Sequence, residues 1–282
     1  MSEALNSVAI PEDVLKFYNQ LAEIQDGLKK TLKVPSIELD KGVLNQHGDQ
    51  KVPLMNFFKI DISTQDLKKS INEITHFMAE NKEDLVDDVE KIKVVLVDMA
   101  QEPVKLVETV LWQKDQQLLK ITEEKNLNKE LFSILIVNIV KPFIVAYSEQ
   151  LQTQLEELHW LKSYCPVCGW EPSVAINSKD NNKRLLHCSF CETEWFFKKL
   201  QCPKCDCEDF AKLKTLRIAD QESYELATCE ECKGYIKVVN EKNSFGKKNM
   251  SLEDVKSLYL DILAEQEGFS KESKKAESRN LS

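Results

Sequence analysis

Four Cys-x-x-Cys pairs constrain this 282-residue chain more than any other feature, because they account for all but one of its nine cysteines. The two residues between paired thiols allow a tight turn to aim both sulfurs at one ion, and two such turns complete a tetrahedral four-thiolate shell. The gaps at 169–187 and 206–228 can each hold a hairpin that brings one turn back to the other. The sequence therefore predicts two metal sites. Site 1 comprises Cys165, Cys168, Cys188 and Cys191, and site 2 comprises Cys202, Cys205, Cys229 and Cys232.

The spacing of the cysteines leaves the identity of the metal open. Four thiolates in a tetrahedron suit Zn(II), and they equally suit a single iron ion as in rubredoxin. The run Cys165-Pro166-Val167-Cys168-Gly169 resembles a rubredoxin knuckle, although zinc ribbons use the same turn. Small ribbons bury little apolar surface, so a metal that only stabilises the fold explains the pattern as well as an active metal does.

Three further side chains near the pairs are weaker ligand candidates. Cys207 can be a spare ligand, a reactive thiol or a small buried residue, and we favour the buried residue. His159 and His187 flank the sites, and with eight thiols available we expect both to pack or to form hydrogen bonds.

The charge and composition indicate a soluble globular protein and disfavour nucleic acid as a partner. The formal net charge is −9, which repels a polyanion unless one face is locally basic. The start of the chain has no basic or apolar signal region, and the most apolar stretch, 131–147, is interpreted as a buried core helix rather than a membrane span. We therefore expect a cytoplasmic protein, whose cysteines bind metal rather than form disulfides.

Helical periodicity dominates the cysteine-free part, and the pattern changes to short strands near Tyr164. The predicted strands cover 174–176, 184–187, 194–197 and 235–239. We predict an α+β chain: an N-terminal helical bundle domain followed by two tandem rubredoxin-like or zinc-ribbon four-cysteine modules and a C-terminal helix. The predicted boundaries are 1–160 for the helical domain, 161–200 and 201–250 for the two metal ribbons, 251–269 for the C-terminal helix and 270–282 for a disordered tail.

Several motifs resemble those of the formate dehydrogenase accessory protein FdhE family. They are the runs Cys165–Gly169, Leu186–Trp195, Cys202–Cys205 and Cys229–Lys237, together with the last helix from Asp254 to Gly268. The motifs cover 165–268, whereas the helical half is similar only in layout and length. Trp170 stands where the family often has a small residue, and Cys207 is extra.

The resemblance implies two rubredoxin-like ribbons that follow a helical domain in a cytoplasmic protein. Such a protein binds the catalytic subunit of formate dehydrogenase and assists its maturation or activation. The resemblance also implies two metal ions, with iron favoured over zinc, and it carries the ligand role onto the eight paired cysteines.

No catalytic set emerges from the sequence, which has no glycine-rich phosphate loop, nucleophile elbow or His-Glu-x-x-His motif. We therefore expect an accessory protein that is not an enzyme. Two other classes compete with it: a rubredoxin-like electron-transfer protein, and a zinc-ribbon nucleic-acid-binding protein. The second is weakened because basic and acidic residues balance across the ribbons.

Overall fold

The computed structural model describes residues 10–155, 160–179, 183–218, 222–241 and 248–271, and it shows two compact units. The helical unit combines the described parts of Phe17–Asp40 and Leu54–Glu156. The ribbon unit combines the described parts of Met1–Lys16, Lys41–Pro53 and Glu157–Ser282. The domain boundaries expected from the sequence stay a prediction. The tail expected to be disordered lies, from residue 272 onward, outside the described residues.

The described elements run from helices to strands and back to helices. The helices are α1 (Glu12–Thr31), α2 (Lys41–Gln50), α3 (Thr64–Asn81), α4 (Val86–Met99), α5 (Pro103–Leu111), α6 (Asp115–Glu124), α7 (Lys129–Leu155), α8 (Met250–Lys256) and α9 (Leu258–Gln266). The strands are β1 (Val174–Asn177), β2 (Arg184–His187), β3 (Glu194–Phe197), β4 (Leu213–Leu216), β5 (Tyr224–Cys229) and β6 (Tyr235–Asn240). This mixture confirms the predicted α+β class.

Helix α7 is the centre of the helical unit, where it contacts α3, α4, α5 and α6. Its side chains Phe132, Ile136 and Ile144 are fully buried, as are Leu67 and Ile71 of α3. By length and composition alone, Lys129–Gln152 is apolar enough to cross a membrane, with a mean hydropathy of 1.9, but 72% of that apolar window is buried inside the structure. The burial agrees with the interpretation of this stretch as a core helix.

Pro142 lies inside α7 without ending the helix. A proline has no N–H, so the carbonyl of residue 138, one turn earlier, loses its usual donor. The side chain of Gln25 replaces that donor: its Nε2 donates to the Asn138 carbonyl at 3.1 Å and to Asn138 Oδ1 at 3.0 Å. Gln25 is itself buried on α1, so this bond ties α1 to the middle of α7.

We expect Gln25→Leu to lower the free energy of unfolding by about 1–3 kcal/mol, because it leaves a half-buried carbonyl without a donor. Adding Pro142→Ala should recover part of that loss, since the new amide can donate to the Asn138 carbonyl. Urea denaturation followed by circular dichroism measures both effects. Gln46→Leu, on the exposed face of α2, is the matched control. A Gln25→Leu variant as stable as this control would contradict the assignment.

The ribbon unit is built on one six-stranded sheet with the order β3-β2-β1-β6-β5-β4. Each four-cysteine module contributes three antiparallel strands, β1 to β3 and β4 to β6. The two modules join where β1 pairs with β6 in parallel, with Val174 opposite Lys237 and Asn177 opposite Asn240. The ribbons are therefore two halves of one continuous sheet.

Strands β1, β2, β3 and β6 confirm the four strands predicted from the sequence, whereas β4 and β5 were not predicted. Strand β4 has no buried residue, since its side chains are exposed or half-buried, so the usual apolar signal of a strand is weak there. Its ladder with β5 holds it in place, with Leu213 opposite Cys229 and Leu216 opposite Leu226.

Two helices, α8 and α9, occupy the segment where the sequence predicted one. They meet at Ser257, whose buried hydroxyl donates to the carbonyl of Glu253 at 2.7 Å. A serine that bonds back to the preceding turn competes with the helical amide for that acceptor. The N-cap is Asn249, whose side chain accepts from the Leu252 amide. Tyr259, Leu260 and Ala264 then pack with Leu226 and Tyr235 of the sheet.

Helix α2 belongs to the ribbon unit and carries the fully buried His47. The imidazole stacks on Trp160 with ring centroids 4.5 Å apart, and its Nδ1 lies 2.6 Å from the Val52 carbonyl. Nδ1 is therefore the protonated nitrogen. Nε2 is buried and has no hydrogen-bond partner among the described residues. Burial lowers the pKa of His47, because a second proton would place a charge in this apolar contact.

A lowered pKa in the folded state means that the unfolded chain binds the His47 proton more readily. The contribution of His47 to stability is therefore present above the unfolded pKa of about 6.5 and declines as the pH falls below it. We expect His47→Phe to reduce the loss of stability between pH 7.5 and pH 5.5, by at most about 1.4 kcal/mol per pH unit, the limit for one proton. Urea denaturation at both values measures the change, with the exposed His76→Gln as control. Equal pH dependence in all three proteins would refute a role for His47.

Candidate metal centres

Site 1 gathers its four predicted cysteines from the two knuckles that flank the β1–β2 hairpin. One sulfur each from Cys165, Cys168, Cys188 and Cys191 lies within 4.8 Å of all the others, and all four residues are buried. Across the site, Sγ of Cys165 is 3.3 Å from Sγ of Cys191, and Sγ of Cys168 is 3.5 Å from Sγ of Cys188.

Site 2 repeats this arrangement at the knuckles around β4 and β5. The sulfurs of Cys202, Cys205, Cys229 and Cys232 also lie within 4.8 Å of one another. Sγ of Cys202 is 3.8 Å from Sγ of Cys232, and Sγ of Cys205 is 3.7 Å from Sγ of Cys229. The structure thus pairs the knuckles in succession along the chain, as the sequence predicted, rather than interleaving them.

All four knuckles share one backbone conformation. The residue after each second cysteine has a positive φ: 83° at Gly169, 59° at Glu192, 60° at Asp206 and 55° at Lys233. The amide of each first cysteine donates to the carbonyl five residues later, which belongs to Trp170, Thr193, Cys207 or Gly234, at 2.9–3.0 Å. A left-handed residue is favourable only for glycine, so three of the four turns carry a conformational cost. Metal binding by the two thiols of each turn can offset it.

The sulfur positions fit a tetrahedral ion. A Zn–S bond of about 2.3 Å places the sulfurs of a regular tetrahedron about 3.8 Å apart, and iron–thiolate shells are similar in size. The two cross-site separations given above for site 2 match this value, those for site 1 are a few tenths of an ångström shorter, and the remaining distances in each group stay within 4.8 Å. Each group can therefore hold one metal ion, and the geometry suits zinc and iron alike.

The buried thiols of both clusters also favour binding of a cation. In site 1, burial raises the pKa of Cys168 and Cys191 well above that of a free thiol, whereas at Cys188 burial is outweighed by hydrogen bonds from the neighbouring thiols, which lower its pKa. Burial likewise raises the pKa of Cys202 and Cys205 in site 2. Packed thiols of this kind cannot all ionise unless a positive charge joins them. Metal binding supplies that charge and releases the thiol protons, so occupancy should fall in acid.

Side chains around the sites connect the two halves of the sheet. Trp170 and Phe190, from the two knuckles of site 1, stack with ring centroids 4.0 Å apart. Lys204, within the first knuckle of site 2, is 95% buried at its side chain and forms a 2.5 Å ion pair with Glu171 beside site 1. Gly234 lies so close to site 2 that a Cβ there would be 3.1 Å from Sγ of Cys232.

Two of the weaker ligand candidates, Cys207 and His187, lie outside both shells. Cys207 is only half-buried and packs beside the cysteines of site 2, while its carbonyl closes the knuckle at Cys202. The knuckle uses only the backbone carbonyl of Cys207, and the structure does not explain why its side chain is a cysteine. His187 is buried at the end of β2, with Nδ1 3.5 Å from Ser173 Oγ. His159 lies outside the described residues.

Comparison with protein-family models places the cysteine-bearing part in a known group. Residues 164–199 match the model described as FdhE, central domain, and residues 200–276 match FdhE, C-terminal domain. These two matches include all eight predicted ligands and the C-terminal helices. The helical part before residue 164 is outside both.

Individual relatives agree with the family models. The chain is 28% identical over 151 residues to the protein FdhE homolog of Aquifex aeolicus, a match that covers 52% of each protein. It is 33% identical over 115 residues to protein FdhE of Escherichia coli, a match that covers 40% of this chain and 36% of that protein. These matches therefore span about half, or less, of the relatives' lengths.

A solved structure extends the likeness to the fold of nearly the whole chain. The crystal structure of the FdhE protein from Pseudomonas aeruginosa superimposes with a TM-score of 0.58 over 92% of this chain and 90% of that one. The sequence identity is 16%, so this comparison concerns the fold. It agrees with a helical N-terminal part followed by the metal ribbons.

Proposed function

The chain belongs to the FdhE family, and from that premise we propose that it is an accessory protein that binds the catalytic subunit of formate dehydrogenase and assists its maturation or activation. The observation that carries the proposal is the match of residues 164–276 to the two family domains, with both four-cysteine groups preformed inside the match. We further propose that it acts in the cytoplasm and performs no catalysis of its own.

The metals have a defined task in this proposal. Cys165, Cys168, Cys188 and Cys191 would hold one ion, and the cysteines of site 2 would hold the other. Bound in thiolate shells, the ions supply cross-links that fix the knuckles, and iron would add a redox-sensitive centre. Two contacts join the ribbons: the parallel pairing of β1 with β6 and the ion pair of Lys204 with Glu171. In this proposal they hold the two ribbons together as one rigid surface that binds the partner.

An electron-transfer role is the second candidate, and the exposure of site 2 favours it. Cys232 is half-buried, whereas every cysteine of site 1 is buried, so site 2 lies nearer to the solvent. A thiolate-bound iron at that position would be accessible to a redox partner. Reversible bleaching of a visible absorption band on reduction would support this candidate, and a protein that contains zinc alone would exclude it.

The proposed function is tested by affinity capture of the tagged protein from its own host, grown so that it depends on formate oxidation. We expect mass spectrometry to identify a formate dehydrogenase catalytic subunit among the captured proteins. Cys188→Ser should lose that subunit, because site 1 is broken. Cys207→Ser, which keeps all eight paired cysteines, is the control and should retain it. Capture of nucleic acid or of an electron-transfer protein instead would contradict the accessory role.

A further inference from the structure

A cavity of about 270 Å³ opens on the sheet of the ribbon unit, at the junction of the two ribbons. Its walls come from β1, β2, β4, β5 and the start of β6, and from the segment that connects the ribbons. The polar and charged side chains of its lining include Asn177, Arg184, Lys199, Lys214, Arg217 and Glu225. None of them is a predicted metal ligand, although Cys202 and Cys229 of site 2 form part of the wall.

Arg184 is the unusual member of this lining. Its residue is only 9% exposed, yet no carboxylate of the described residues lies within 4.0 Å of its guanidinium. Its Nε donates to Asn177 Oδ1 at 3.4 Å and its Nη1 to the Lys199 carbonyl at 3.3 Å, both long bonds. Buried arginines are normally paired with an anion, because a charge removed from water needs a compensating partner.

The one acid among the described lining residues, Glu225, is already hydrogen-bonded to other side chains. Glu225 is buried, and it accepts from Asn177 Nδ2 at 3.1 Å and from Arg217 Nε at 3.0 Å. Its charge acts on Arg184 only at longer range, where it opposes the lowering of the Arg184 pKa by burial. Arg184 therefore keeps donor capacity that faces the cavity.

The buried guanidinium of Arg184 favours an oxyanion as the ligand of this cavity. Among the described residues of the lining, four side chains are basic and one is acidic, on a chain whose overall charge is −9. Lys214 at the rim pairs with Glu230 at 3.0 Å, and a divalent ion in the four-thiolate shell of site 2 would leave that wall negative, so the positive charge offered to a ligand is centred on Arg184. A planar guanidinium offers two parallel donors to an oxyanion, and phosphate, unlike a carboxylate, has further acceptor oxygens that can reach Lys214 at the rim.

We propose that this cavity binds a phosphate group, with Arg184 as the anchoring donor and Lys214 at the rim. The space exceeds that of one phosphate, so the group can be free or can belong to a small phosphate ester. The site is independent of the accessory role, since it requires no protein partner.

Isothermal titration calorimetry of the full-length, metal-loaded protein with inorganic phosphate tests the proposal, in buffer free of other oxyanions. We expect saturable binding of one phosphate per chain, with acetate at equal ionic strength much weaker. Titration with adenosine monophosphate distinguishes a site for a phosphate ester from a site for the free phosphate ion. Tighter binding than phosphate indicates an ester, and equal or weaker binding indicates the free anion.

Variants locate the site. Arg184→Gln should weaken phosphate binding by about tenfold to a hundredfold, the value of a charge-assisted hydrogen bond. The Lys214 side chain is 56% exposed, so Lys214→Gln should fold normally. This variant should weaken phosphate binding by about twofold to fivefold. Lys198→Gln, an exposed ion-paired lysine outside the lining, should change nothing. No saturable binding to the wild type, or equal affinity in Arg184→Gln and Lys198→Gln, would overturn the proposal. If Arg184→Gln does not fold, unchanged affinity in Lys214→Gln decides against it.

Discussion

Cys188→Ser is expected to halve the metal content of the protein, from two ions per chain to one, and to unfold the first ribbon. Cys188 is fully buried, and its sulfur lies 3.5 Å from that of Cys168 across site 1. A serine hydroxyl is a poor ligand for an ion that is held by soft thiolates. Loss of the ion leaves three buried thiols with no cation and removes the bond that offsets the backbone strain at Glu192.

The size of the effect follows from what the metal stabilises. Structural zinc contributes about 10–16 kcal/mol of apparent binding free energy in small zinc-dependent folds, and most of this stabilises the folded state. A ribbon of three four-residue strands cannot offset such a loss by its apolar core. We expect the second ribbon to be weakened as well, because β1 supplies the parallel partner of β6.

Elemental analysis and thermal denaturation measure this prediction. Cys188→Ser should contain one metal ion per chain and melt at a lower temperature, whereas Cys207→Ser should keep two ions and the wild-type midpoint. Cys229→Ser should mirror the first result at site 2. Full metal content in Cys188→Ser would show that Cys188 is not a ligand.

The cysteine sites could be predicted from the sequence because a thiol pair two residues apart is a local signal with a single geometric outcome. The backbone conformation of the knuckles was harder to predict from the sequence. A positive φ follows every pair, but only Gly169 signals it, while Glu192, Asp206 and Lys233 adopt the same conformation without a sequence mark. At those three positions the geometry of the knuckle imposes a positive φ on residues that favour a negative one.

The features that the sequence did not reveal are non-local. The parallel pairing of β1 with β6 joins residues about sixty positions apart, and nothing in either strand specifies the other. The bond from Gln25 to the carbonyl of Asn138 compensates for a proline on a different helix. The cavity at Arg184 likewise exists only because the two ribbons share one sheet. Local patterns identify elements, whereas these features depend on how the elements pair.

Lys237 provides the second large expected effect, because it is a buried charge that holds α8 and α9 against the sheet. Its side chain is 1% exposed, and Nζ lies 2.8 Å from Asp261 Oδ2 and 2.5 Å from Asp254 Oδ1. Nζ also donates to the Asp254 carbonyl at 2.7 Å, and Tyr235 donates to Asp261 Oδ1 at 2.8 Å. One lysine thus compensates two largely buried carboxylates, one on each helix.

We expect Lys237→Met to lower the free energy of unfolding by about 3–5 kcal/mol, because it leaves both carboxylates buried without their cation. Urea denaturation measures the loss, and hydrogen exchange should show faster exchange over residues 250–271 than over α7. Lys256→Met, which removes an exposed partner of Glu253, should cost about 1 kcal/mol or less. Adding Asp254→Asn and Asp261→Asn to Lys237→Met should restore much of the stability, since neutral amides need no cation. A Lys237→Met variant as stable as Lys256→Met would mean that apolar packing of Tyr259, Leu260 and Ala264, rather than the buried charges, holds the helices on the sheet.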